Sequence, residues 1–207
     1  NGNLTDLNRG GINWDYKYNS LNLLEEEKLS IDGRIYIFDY GYSNEGYLST
    51  AKTPESGSAS IQYAPDAFGR PTKLSLNGTN FFSNAKYHHT GQLKEAELAN
   101  GHSFTSTINN RLLVTSLRTE KNGVKALDLT YAYNDKLPRV TAILDGVDAT
   151  ANRSFTYDGV NRLKTANGPW ADSATYNYDA IGNLESKTFT YNDGTPTRRV
   201  DASYNPS

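Results

Sequence analysis

Apolar positions along this chain recur at a spacing of two, and no stretch keeps the three-and-four rhythm of a sustained helix. Tyr16 and Tyr18, Tyr40 and Tyr42, Tyr131 and Tyr133, and Tyr176 and Tyr178 are each separated by one residue. That spacing puts both rings of a pair on one face of a strand. The one departure is LNLLEEEKLS at 21–30, where Glu25 to Glu27 suit either a capped turn of helix or a widened hairpin loop. After the aromatic pair comes a polar turn and then an apolar residue, Leu24, Leu48, Leu93, Leu112, Leu163 or Leu184, placed to pack on the next unit. The pattern predicts an all-β chain.

The same sentence is written about eight times. Aligned on aromatic, any, Tyr, Asp, any, any, Gly or Asn, polar, Leu, the chain matches at 18 (YNSLNLL), 42 (YSNEGYL), 65 (PDAFGRP, with Tyr63 two before it), 87 (YHHTGQL, from Tyr87), 106 (STINNRL), 133 (YNDKLPR), 157 (YDGVNRL, Tyr157 and Asp158) and 178 (YDAIGNL, Tyr178 and Asp179). The unit at 106 keeps Phe104 but has lost its Tyr, and the unit at 133 lacks the turn Gly and the Leu. The expected organisation is one array over 1–207, cut at both ends. NGNL at the start matches the GNL that closes YNYDAIGNL, and DASYNPS opens a further unit.

Glycine supplies an independent series. Gly11, Gly33, Gly57, Gly78, Gly101, Gly123, Gly146, Gly168 and Gly194 recur with a similar period, mostly in Asn-Gly or Asp-Gly pairs, the strongest short hairpin signal. A second set, Gly2, Gly46, Gly69, Gly91 and Gly182, follows the Tyr anchors. Two turns per unit imply two short strands per unit, about sixteen strands in all, which laid flat would span roughly 75 Å. Twist accumulates from strand to strand, so the expectation is repeated antiparallel hairpins in a long curved or spiralling sheet.

Composition narrows the partners. With 21 basic against 23 acidic residues the net charge is -2, which offers no basic footprint for nucleic acid and no polybasic membrane patch. Cysteine is absent, removing disulfides and thiolate chemistry, and no apolar run approaches the ~20 residues of a membrane span, so no membrane insertion by this segment is expected. Methionine is absent too, even at position 1, as in a piece of a longer polypeptide.

FTYDGVNRL at 155–163, YNYDAIGNL at 176–184 and PDAFGRP at 65–71 resemble the RHS or YD repeat, and the resemblance covers essentially the whole chain. That family builds β-sheet shells in bacterial polymorphic toxins and insecticidal toxin complexes, enclosing a C-terminal toxic segment; related arrays occur in teneurin adhesion proteins. The resemblance implies a non-catalytic stretch of shell wall, secreted or at the surface of a bacterium. Its partners would be neighbouring repeats of the same polypeptide and an enclosed C-terminal effector. The family's closing core segment, rich in Asp-Pro, Gly-Leu and Asn-Pro steps, is not matched. The only Asn-Pro is Asn205-Pro206 and there is no Asp-Pro, so self-cleavage and toxicity are not assigned here.

Candidate chemistry is thin. His88 and His89 are adjacent and point to opposite faces of a strand, a poor metal chelate. The repeated Asp158 and Asp179, with Asp66, suit local turn amides better than an acid and base pair. No nucleophile elbow, phosphate-cradling loop or calcium-loop spacing is present, so no cofactor or metal is expected. The competing reading is a cell-surface carbohydrate-binding or adhesion module that takes glycans on its aromatic rows. Only Trp14 and Trp170 are available for it, and neither recurs with the period. An enzyme built on loop carboxylates has no motif in its favour.

Overall fold

A computed structural model describes residues 2–54 and 59–202. Gly57, in the glycine series, lies outside the described residues, as do Tyr204 and Asn205-Pro206. The chain forms two compact units, residues 1–104 and 105–207. In the first, nine strands run in order: β1 (Asp6–Arg9), β2 (Ile12–Tyr18), β3 (Leu24–Ile31), β4 (Arg34–Tyr42), β5 (Leu48–Lys52), β6 (Ser60–Gln62), β7 (Leu74–Leu76), β8 (Thr79–Tyr87) and β9 (Leu93–Leu98). β10 (Ser103–Ile108) contains the boundary. The second unit continues with β11 (Val114–Lys121), β12 (Val124–Tyr133), β13 (Val140–Asp145), β14 (Arg153–Tyr157), β15 (Leu163–Gly168), β16 (Ala171–Tyr178), β17 (Leu184–Thr190) and β18 (Arg198–Asp201).

From β1 to β9 and from β11 to β18 each strand pairs antiparallel with the next. The eight repeats supply β2 to β17, two strands each, while β1 and β18 flank them. Glu25 to Glu27 lie inside β3, so the helix-like stretch is a strand. Among the described residues the one helical element is a 3-10 turn at Ala149–Ala151, capped by Asp148.

Short hairpins follow from turn chemistry. Asp32-Gly33, Asn77-Gly78 and Asn122-Gly123 all take positive φ, at 48° and 73°, 50° and 82°, and 51° and 79°. Two consecutive left-handed residues match the right-handed twist of the flanking strands. Gly11, Gly101 and Gly194 are also left-handed. Gly146 and Gly168 also stand at hairpin connections, β13 to β14 and β15 to β16, but without left-handed backbone, and their surroundings explain the glycine instead. A Cβ on Gly146 would stand 2.4 Å from Oδ2 of Asp128, and one on Gly168 would stand 2.6 Å from the Trp170 ring. Both are places of close approach; Pro169 and Trp170 form the turn between β15 and β16.

Packing reflects how few aliphatic residues the chain has. Along β2 the side chains of Ile12, Trp14, Tyr16 and Tyr18 are half-buried and alternate with exposed Asn13, Asp15 and Lys17. Each unit therefore has a ring-bearing face and a polar face. Among the described residues the buried hydrophobic ones are small: Ala85, Ala96, Ala166, Ala171 and Ala174. Register explains the choice in the second unit. Phe155, Ala166, Ala174 and Phe189 lie directly opposite one another across β14 to β17. Two large rings flank two alanines, and Ala174 is 0% exposed. On the polar face of the first unit, Lys17 meets Glu26 at 2.7 Å and Lys86 meets Glu95 at 2.8 Å across neighbouring strands. Such exposed pairs contribute little each, about 0.2–1 kcal/mol.

Candidate functional site

The chemistry-bearing residues of the repeat converge on one feature, the turn after the Tyr anchor and its junction with the next unit. The turn is closed by its first residue. In the last repeat the Asp179 amide donates to the Asn183 carbonyl at 2.9 Å. The Asp179 carboxylate accepts the amides of Ile181 at 3.0 Å and Asn183 at 2.8 Å. Asp158 does the same for Val160 and Arg162, Asp66 for Phe68 and Arg70, and Asn19 and Asn109 use their side-chain oxygens likewise. The Arg162 amide, and then its guanidinium, hold the Asp158 carboxyl below the usual carboxylate range. The Arg70 side chain has the same effect on Asp66. These carboxylates stay ionised acceptors at neutral pH and are engaged by their own loops. His88 occupies this turn position too, its amide donating to the Gln92 carbonyl at 2.9 Å. Among the described residues no group of three His, Asp or Glu side chains could hold a metal ion.

The fourth turn position needs a left-handed backbone. Gly46, Gly69, Gly91 and Gly182 fill it, as do Asn22 and Asn161. In the degenerate repeat it is Leu112, at φ 61° and 45% exposed. The expected packing role of Leu112 is therefore corrected. The turn residue of that unit is Asn109, the anchor is Ile108 and not 106, and Val114 stands where five of the other units have Leu. In the unit at 133 the loop is one residue longer, the Asn134 amide reaching Arg139.

Beyond the turn, a β-bulge recurs. Tyr18 faces Leu24, Tyr42 faces Leu48, Tyr87 faces Leu93, Tyr133 faces Val140, Tyr157 faces Leu163 and Tyr178 faces Leu184, with a register shift beside each Tyr. A bulge disrupts the ladder locally. The anchor hydroxyl then reaches back to the preceding unit's carbonyl at the Leu position. Tyr18 donates to Leu4 at 2.9 Å, Tyr42 to Leu24 at 2.7 Å, Tyr87 to Pro71 at 2.6 Å, Tyr133 to Val114 at 2.6 Å, Tyr157 to Val140 at 2.8 Å and Tyr178 to Leu163 at 2.9 Å. Burial raises the Tyr42, Tyr87, Tyr133 and Tyr178 phenols above their ordinary value, so they remain donors. Each such bond contributes about 0.5–1.5 kcal/mol and fixes one unit against the last. Where the anchor is Pro65 or Ile108 no hydroxyl exists; Tyr63 is half-buried just after β6, and its amide donates to the Ser49 carbonyl.

A second inter-unit contact comes from the residue just before the Leu position, which the repeat pattern marks only as polar. The Arg70 guanidinium lies 4.6 Å from the Tyr87 ring centroid, Arg139 5.3 Å from that of Tyr157 and Arg162 4.6 Å from that of Tyr178. Arg162 also bonds Asp158 at 2.7 Å and the Asp179 carbonyl at 3.2 Å, so one side chain ties its own turn to the next. In the first repeats the same position is Leu23, 3.5 Å from where a Cβ on Gly46 would stand, and Tyr47, whose ring lies 2.5 Å from that point on Gly69. The sequence could have shown this as the recurring N-R-L, G-R-P and N-R-L triplets at 161–163, 69–71 and 110–112, although Arg111 stands two places after its turn residue and bonds the carbonyls of Asn134 and Asp135 instead.

On the polar face of the second unit Asp128 is buried between Arg118 and Lys125, whose hydrogen bonds hold its carboxyl low. It is a structural ion cluster roofed by the close-lying Gly146 backbone.

No protein-family profile matches the chain, and no curated protein matches it. Solved structures do. The TcdB2-TccC3 crystal structure superposes with a TM-score of 0.75 at 17% identity over 91% of this chain. This chain shares the fold of a segment of TcdB2-TccC3. TcdB2-TccC3 crystallised with Cdc42 gives a TM-score of 0.74 at 17% identity over 92% of the chain. A Photorhabdus luminescens Tc holotoxin pore with a substituted TccC3 gives 0.74 at 18% over 92%. In each case this chain spans 12% of the length of its match. No helix among the described residues is long and apolar enough to cross a membrane.

Proposed function

We propose that this chain is a non-catalytic stretch of wall in an RHS-type β-shell, part of a longer polypeptide secreted by a bacterium or displayed on its surface. Its partners are the repeats before and after it and a C-terminal effector kept inside. The observation that carries the reading is the inter-unit seam: six Tyr hydroxyls on preceding-unit carbonyls and three Arg side chains over next-unit rings. The turn carboxylates Asp66, Asp158 and Asp179 are engaged by their own loops, and the anchor Tyr hydroxyls by the preceding repeat. A fold shared along nearly its whole length with a toxin complex supports the same reading.

The mechanism is exclusion. A hydrogen-bonded wall keeps an unfolded or toxic cargo from water and proteases, and the seam keeps that wall from opening between repeats. Limited proteolysis tests this. In the full polypeptide the C-terminal extension should survive a protease at least roughly tenfold longer than the same extension expressed alone, because cleavage then waits on opening of the wall. Digestion at the same rate in both settings would remove the enclosure from the account.

A further inference from the structure

The repeat itself exposes an anomaly on the ring-bearing face. The residue opposite the first ring of each aromatic pair is Ala51 against Tyr40, Ile143 against Tyr131 and Ala166 against Phe155. In two units it is charged, with opposite signs: Lys187 against Tyr176, and Glu27 against Tyr16. Lys187 shows what a charge does there. Its ammonium lies 5.4 Å from the Tyr176 centroid and 4.6 Å from that of Phe189, held by the negative faces of both rings.

Glu27 is the inverse case. Tyr16 lies directly opposite on β2 and Phe38 on β4, with Trp14, Tyr36 and Tyr40 diagonal to it. Trp14 and Tyr16 present parallel rings, centroids 6.3 Å apart with 6° between planes. The Tyr40 hydroxyl donates to Oε2 of Glu27 at 3.1 Å and orients the carboxylate. Among the described residues Glu27 has no ion pair, whereas its neighbours Glu26 and Asp15 pair with Lys17 and Lys28 on the opposite face. A half-buried carboxylate whose cross-strand and diagonal neighbours are aromatic, with no ion pair among the described residues, is a site of concentrated negative potential.

We propose that Glu27, with Tyr16, Phe38 and Tyr40, is a receptor for an organic cation, and that its occupant is an arginine side chain of a polypeptide lying along this face. A guanidinium fits both halves of the site. Its plane stacks on aromatic rings, and its fork donates in parallel to a carboxylate. Lysine, a compact and strongly hydrated charge, satisfies only one of these at a time. The inference stands on the geometry of one repeat and does not rest on the shell reading.

The probe is a blocked Gly-Arg-Gly peptide, with its citrulline counterpart as an uncharged isostere and its lysine counterpart as a second cation. Binding is read from the Trp14 indole NMR signal in a Trp170→Phe background. The arginine peptide is expected to bind saturably, roughly tenfold more tightly than the citrulline peptide and several-fold more tightly than the lysine one. Glu27→Gln should remove the preference for arginine over citrulline. Glu27→Lys should block the site, because the introduced ammonium occupies the rings as Lys187 does in its own unit. Equal binding of arginine and citrulline peptides to the unsubstituted chain would overturn the proposal without any variant. An unchanged preference in Glu27→Gln would overturn the role of the carboxylate, and equal binding of the lysine peptide would overturn the assignment to arginine.

Discussion

Replacing Tyr178 with alanine is expected to lower the stability of the second unit by about 3 kcal/mol, in the lower range for loss of a packed aromatic ring. Three losses combine. The ring leaves the half-buried row it shares with Tyr176, the hydroxyl bond to the Leu163 carbonyl disappears, and Arg162 loses the surface it lies over. Tyr178→Phe separates them. It keeps the ring and the Arg162 contact and gives up only the hydroxyl, so its cost should be about 1 kcal/mol. Urea unfolding followed by Trp170 fluorescence reports on this unit and gives both values. Equal losses for phenylalanine and alanine would mean that the ring carries no packing. A loss under about 0.5 kcal/mol for alanine would mean that the seam does not hold the units together.

Ala174→Leu is expected to cost about 1–3 kcal/mol, the usual price of forcing methylenes into a filled site. Ala174 has no exposed surface, and its cross-strand neighbours on the same face are Ala166 on one side and Phe189 on the other. A leucine there displaces Phe189, and with it the ring that Lys187 covers. The same unfolding measurement decides the matter. A leucine variant as stable as the parent would show that the face over Ala174 has room, and the alternation of rings and alanines would then be no packing rule.

Much of this architecture is legible in the residues, for a physical reason. Strand spacing and hairpin turns are local, so Tyr16 with Tyr18, or Asn122 with Gly123, announces its geometry within a few residues. The turn carboxylates are equally local: Asp158 and Asp179 act on amides two and four residues away. Contacts between repeats are less legible. Arg162 reaches the next unit's ring and carbonyl, and the only local sign of that reach is that Arg recurs before the Leu position, at 70, 139 and 162. The bulge beside each anchor leaves no mark in composition at all. Where Ile108 stands in place of Tyr, the repeat pattern points two residues too early and assigns Leu112 to packing, although Leu112 fills the left-handed turn position. Asp145-Gly146 and Asn167-Gly168 stand where β13 and β15 run into their hairpin connections, yet neither glycine is left-handed; their close neighbours, Asp128 and Trp170, leave no room for a Cβ. A dipeptide reports only that glycine is required.

Electron microscopy of the full polypeptide that carries this chain, grown with its natural C-terminal extension, tests the central claim most directly. The account predicts a hollow β-walled particle, with this chain as an arc of the wall and density for the extension inside. An open ribbon or rod with the extension outside would contradict it.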